Sequence, residues 1–159
     1  MSKAKLKASG VPSESAEQKW VIQWSQQPSI REKYPELAML YHIPNERTDK
    51  VQAAILKTMG VKTGVPDLHL PIPAGNYHGL YIEMKALDGK PDSDQLWWAD
   101  HLKANGYFHA FCYGWKQAAE VLLWYLKGCR IADTCDTACT AYARWWDARM
   151  EIVRKKVGA

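Results

Sequence analysis

Asp67, Glu83 and Lys85 are the residues of this chain whose types and spacing together describe chemistry. Asp67 follows Gly64-Val65-Pro66 and opens the short apolar run Asp67-Leu68-His69-Leu70, and Glu83 lies sixteen positions on, inside Gly79-Leu80-Tyr81-Ile82-Glu83-Met84-Lys85. The second run alternates as a strand does. Leu80, Ile82 and Met84 can face a core while Tyr81, Glu83 and Lys85 share the opposite face. Between the two runs, Pro71, Pro73, Gly75 and Asn76 are turn formers that fold one run back beside the other, bringing Asp, Glu and Lys to one end of a hairpin-like pair. Hydrolysis of a phosphodiester needs this set. Two carboxylates hold a divalent cation that polarises the phosphoryl group and activates the attacking water. A lysine beside them places positive charge where negative charge grows in the transition state. Taken alone, Glu-x-Lys on one strand face equally describes a solvated ion pair worth little, so the surrounding chain has to decide.

Ser13 or Ser15 can cap a helix that places Glu17 in its first turns and runs to about Gln27, with Trp20, Ile22 or Val21, and Trp24 as its apolar side and Pro28 as its end. Leu37 to Ile43 reads as a first strand closed by Pro44-Asn45. Arg47 to Met59 returns to helical spacing through Val51, Ile55 and Met59 before Gly60. Beyond the Glu83 strand, Asp88-Gly89-Lys90-Pro91 is a loop, and Asp92 or Ser93 caps a helix through Leu96, Trp97, Trp98 and Leu102, with Gln95 near its start. Tyr107 to Tyr113 reads as a buried strand and Trp115 to Leu126 as a helix with Ala118, Ala119, Leu122, Leu123 and Leu126 inward. Strands alternating with helices make an α/β layer fold.

At 159 residues and 47% hydrophobic, the chain can bury one substantial core and is short for two. A net charge of +4 is mildly basic and supports a polyanionic partner only weakly. No apolar run approaches membrane-spanning length and Met1 to Gly10 carries no secretory pattern, so the expected location is cytoplasmic.

Several segments occur in the order of one family: Glu17-Gln18, Ile43-Pro44-Asn45, Gly64-Val65-Pro66-Asp67, Tyr77-His78-Gly79, Ile82-Glu83-Met84-Lys85 and Asp92-Ser93-Asp94-Gln95. The chain resembles the stand-alone VRR-NUC domains of phages and bacteria, a branch of the PD-(D/E)xK nucleases, from about Glu14 to Leu126. The resemblance implies a mixed β-sheet flanked by helices, a restriction-endonuclease-like core, Mg²⁺ or Mn²⁺, and cleavage of DNA, often at branched structures such as Holliday junctions. It assigns Asp67, Glu83 and the Met84 backbone carbonyl to the metal and makes Lys85 the catalytic lysine. Glu17 matches the acidic residue sent into the site by the first helix, a further metal-ligand candidate with Glu14 as its rival, and Gln95 matches a glutamine in the first turn of the later helix. Stand-alone relatives are dimers, and paired cuts in a junction suit a twofold assembly. Trp97, Trp98, Trp145 and Trp146 offer apolar material for that interface, or for the core. Where many relatives have glycines, Glu46-Arg47-Thr48 leaves the loop less permissive, which bears on substrate shape.

The expected organisation is a flexible arm over 1–13, a nuclease domain over 14–127 and an appended helical segment over 128–159 ending in Arg149, Arg154, Lys155 and Lys156. Cys129, Cys135 and Cys139 lack the paired spacing of a zinc site. His69 shares a strand face with Asp67, yet a lone strand histidine more often has a structural role. The alternative to a metal-dependent endonuclease is a DNA-binding or assembly protein on the same fold that no longer cleaves.

Overall fold

The computed structural model describes residues 10–44, 50–128 and 151. Helix α1 spans Glu14–Ser25 and is capped by Ser13, whose hydroxyl accepts from the Ala16 amide at 3.3 Å. Pro28 does not merely end it. Proline at the first position of a helix lacks only an N–H that would have no partner there, and Pro28 opens a second short helix, α2 (Pro28–Lys33). The strand expected over Leu37 to Ile43 is mostly a 3₁₀ turn over Pro35–Met39, leaving the two-residue β1 (Tyr41–His42). Helix α3 is seen over Lys50–Thr58.

The remaining elements fall close to their expected positions: β2 (Leu68–Leu70), β3 (Leu80–Lys85), α4 (Ser93–Ala104), β4 (Phe108–Tyr113) and α5 (Trp115–Gly128). They form a mixed sheet in the order β1-β2-β3-β4, antiparallel except for the β3–β4 pair. The hairpin-like return is present as the β2–β3 ladder, with Leu68 opposite Ile82 and Leu70 opposite Leu80. Among the described residues no helix is long and apolar enough to cross a membrane.

Leu68, Leu70, Leu80, Ile82, Met84, Ala110 and Cys112 line one face of the sheet and are essentially inaccessible to solvent. Helix α5 covers that face through Phe108, whose ring meets Trp124 and Tyr125, and α1 packs beside α5. Each such aliphatic side chain contributes about 1.5–3 kcal/mol by leaving water, so this layer fixes the register on which the site depends. Slipping β3 by one residue would exchange the two faces. The other face departs from the simple alternation. Glu83 and Lys85 are 3% and 4% exposed, buried although polar, because the heads of α1 and α4 close over their end of the sheet. The appended segment, with Cys129, Cys135, Cys139, Trp145 and Trp146, lies outside the described residues, as do residues 1–9 and the Glu46-Arg47-Thr48 loop.

Candidate active site

The hairpin register explains why proline precedes the aspartate. Extending the β2–β3 pairing beyond Leu68 and Ile82 sets Pro66 opposite Met84, and proline has no N–H to give to the Met84 carbonyl. The Met84 amide turns instead to Asp67 Oδ2, at 2.8 Å. Because the N–H and C=O of one strand residue point to the same side, the Met84 carbonyl is directed toward Asp67 as well. Asp67 is held from behind by β1. Its carbonyl accepts from the Ile43 amide at 2.8 Å and from His42 Nδ1 at 3.0 Å.

Glu83 Oε1 accepts from Lys85 Nζ at 3.0 Å and from the Gln95 side-chain amide. Gln95 is brought there by a capping box: its backbone N–H donates to Asp92 Oδ1 at 2.9 Å while its own Oε1 accepts from the Asp92 amide at 3.0 Å. That reciprocal pair fixes the first turn of α4 and leaves Nε2 for Glu83. At Gly64, just upstream of Pro66, the backbone has a left-handed φ of 74° and an added Cβ would lie 2.6 Å from the Asp94 carbonyl carbon, so only glycine lets the Asp67 loop pass against α4.

The electrostatics are those of crowded carboxylates. Burial, then the neighbouring Asp67, push Glu83 from 4.5 up to about 8, against the lowering influence of Lys85. Burial also raises Asp67, partly offset by the Met84 N–H and Lys85. For Lys85 burial works downward, but Glu83, Glu14 and Asp67 together hold it above its ordinary value, and it remains an ammonium. Among the described residues no three His, Cys, Asp or Glu side chains converge as a metal cage, so the side-chain donors on hand are Asp67 and Glu83. That set fits Mg²⁺ or Mn²⁺ better than a structural ion, since a small hard cation retains several waters and takes one or two carboxylates.

Glu17 is placed elsewhere. It is 5% exposed and its Oε2 accepts from the Trp115 amide at 2.8 Å, at the head of α5. The carboxylate that α1 brings to the cluster is its neighbour one turn earlier, Glu14, whose Oε1 lies 3.8 Å from Lys85 Nζ and accepts from the Ala86 amide at 3.4 Å. Gly89 makes room for it: a Cβ there would come within 3.1 Å of Glu14 Oε1. Both glutamates face the sheet because residues three apart share a helix side, and the sequence does not say which reaches the strand end. We expect the two to separate by experiment. Glu17→Ala removes a carboxylate acceptor from a helix N-terminus and should cost about 1–2 kcal/mol in chemical denaturation. Glu14→Ala, at a half-exposed position, should leave stability within about 0.5 kcal/mol while slowing turnover. Equal losses of stability for both would erase the distinction.

Two histidines take structural positions: His109 is enclosed, its pKa lowered to about 3 by burial, and His42 braces Asp67. Trp98 donates its indole N–H to the Thr63 carbonyl at 2.9 Å and so anchors the loop leading to Asp67, whereas Trp97 is half exposed. His42 and Pro66 were readable only with the register in hand.

No curated protein matches the chain. A solved structure described as a VRR_NUC domain protein is 32% identical, superposes with a TM-score of 0.61, and aligns over 73% of this chain and 89% of its own length. The VRR-NUC domain matches residues 12–116, from just before α1 to the head of α5 and across every residue of the cluster. By that match and that likeness, the chain belongs to the VRR-NUC family of nuclease domains.

Proposed function

We propose that this protein is a divalent-metal-dependent endodeoxyribonuclease, selective for branched DNA and acting as a homodimer. The observation that supports it most is the meeting of half-buried Asp67 with buried Glu83 and Lys85. Burial, with the Asp67 carboxyl beside it, pushes Glu83 up to about 8 at a cost to the fold, and a site that accepts such a cost is organised for a cation. Mg²⁺ or Mn²⁺ bound there would polarise the phosphoryl group and lower the pKa of the attacking water. Asp67 and Glu83 would supply its carboxylate oxygens, and the Met84 carbonyl, on the strand edge that faces Asp67, would be a further ligand. Gln95 holds the Glu83 carboxyl in orientation. Lys85 keeps its positive charge beside the scissile phosphate, where negative charge develops. The Glu14 carboxylate, 3.8 Å from Lys85 Nζ, helps to keep Lys85 an ammonium.

The preference for branched DNA follows the family resemblance, and a dimer fits it because two sites related by a twofold axis can make paired cuts. Trp97 remains available for an interface, while Trp98 is committed to its own loop. Chelation should abolish cleavage and added Mg²⁺ or Mn²⁺ restore it. On linear, flapped and four-way substrates, the four-way junction should be cut fastest, in symmetric pairs, by a species that light scattering reports as a dimer. Undiminished cleavage in excess EDTA would remove the metal; a monomer making unpaired nicks would remove only the dimeric part. Binding without cleavage under every metal condition would support the non-cleaving alternative.

A further inference from the structure

One row of aromatic residues crosses the sheet beside the candidate active site and has no part in the chemistry described above. Cross-strand pairing sets Tyr41 opposite His69, His69 opposite Tyr81, and Tyr81 opposite His109. His69 is two residues from Asp67 on β2 and Tyr81 two from Glu83 on β3, so the row lies on the same face as the carboxylates, about 7 Å along the strands. The rings touch one another. His69 stacks on Tyr81 with centroids 4.1 Å apart and planes 8° from parallel, Tyr41 meets His69 edge to face at 5.4 Å, and Tyr107 meets Tyr81 the same way at 5.5 Å. The Tyr41 hydroxyl and His69 Nδ1 share a hydrogen bond of 2.8 Å that fixes the outer ring.

The row opens to solvent toward one end, with His69, Tyr81 and Tyr107 half-buried. His109, on β4, is 8% exposed beneath the α4 side of the sheet, whereas Tyr41, at the β1 edge, is 48% exposed. The Tyr41 ring is positioned by its edge-to-face contact and hydrogen bond with His69, and an aromatic surface already in place loses little freedom when something stacks on it.

Resting on the nuclease reading, we propose that Tyr41, His69 and Tyr81, with Tyr107, form a stacking platform for an unpaired nucleobase of the strand whose phosphate lies at Asp67, Glu83 and Lys85. The occupant is a base because the platform continues the active-site face at one nucleotide's reach, and because every base presents a π-face to aromatic rings whatever its sequence. A base within a duplex is stacked on its neighbours, so the platform acts where a strand is splayed, as at a branch point. It therefore gives substrate shape a physical reader.

The test measures binding of the full-length protein in EDTA, so that cleavage does not enter. The probes are a short single-stranded oligonucleotide and the same oligonucleotide with abasic sites throughout. Wild type should bind the base-bearing strand roughly five- to hundredfold more tightly than the abasic one, the range that a stacked base supplies. Tyr41→Ala, at an exposed position, should lose most of that ratio, and Tyr81→Leu likewise. Tyr41→Phe, which keeps the ring and its edge contact with His69 but loses the hydroxyl's hydrogen bond, should retain most of it. Affinity for a fully paired duplex should stay unchanged in all three. Equal affinity of wild type for both strands, or a ratio undiminished in Tyr41→Ala, overturns the platform, as does a Tyr41→Ala protein that only changes oligomeric state. Should wild type discriminate between the strands yet cleave nothing with any metal, the nuclease reading fails and the platform stands.

Discussion

Asp67→Asn and Glu83→Gln should each lower DNA cleavage at least about a hundredfold while leaving affinity for DNA within a few-fold of wild type. Each exchange is nearly isosteric and keeps the local hydrogen bonds: the Met84 amide still meets an oxygen at position 67, and the Gln95 amide and Lys85 still meet one at position 83. What disappears is the charge. Lys85→Ala should have as large an effect on rate, but Lys85 is 4% exposed and in contact with two carboxylates, so alanine also leaves a cavity and an unpaired acid. Lys85→Met retains the stem and is the cleaner variant. Single-turnover cleavage and filter binding in parallel decide it. Wild-type cleavage by any one variant would take that residue out of the chemistry, and a parallel collapse of binding would mean that the site grips DNA rather than acting on it.

The parts of the site that were legible in the sequence are those defined by local rules. Strand alternation puts Glu83 and Lys85 on one face, the turn formers after Leu70 return β3 to β2, and Asp92 followed three positions later by Gln95 is a capping box whose side chains cannot point far from the helix head. The illegible parts depend on long-range placement. Whether Glu14 or Glu17 reaches Lys85 is a matter of how α1 is rotated on the sheet, and the contact that settles it, Glu17 with the Trp115 amide, joins residues 98 positions apart. A two-residue strand such as β1 has almost no pattern of its own; it exists because Tyr41 and His42 find partners in β2. Pro28 could be read as a stop or as a start, and it proved to be the start of α2 after a break of two residues. The burial of Glu83 and Lys85 could not be read from alternation at all, since it comes from helices that pack over the strand end.

That burial should make the metal-free protein less stable as pH rises, and Glu83→Gln should remove much of the loss. In the unfolded chain Glu83 ionises near 4.5, whereas in the fold it keeps its proton to about 8. Between these values the native state binds a proton that the unfolded state has released. The stabilisation from this group is therefore complete below 4.5 and gone above about 8. Glutamine imitates the protonated side chain at every pH, so the advantage of the variant over wild type in EDTA should grow across that window and reach on the order of a few kcal/mol. Asp67 is raised as well and remains in both proteins, so the difference between them isolates position 83. A divalent cation takes the ionised carboxylate and must displace the same proton. Its affinity for wild type should rise by up to about tenfold per pH unit on approaching 8 and level off beyond it, with Lys85 remaining charged throughout. Denaturation profiles of wild type and Glu83→Gln running parallel from acid to alkaline pH, together with a metal affinity flat through neutrality, would mean that Glu83 is already ionised in the metal-free fold. The carboxylate pair would then be neutralised by its lysine, and the physical case for a cation between Asp67 and Glu83 would be lost.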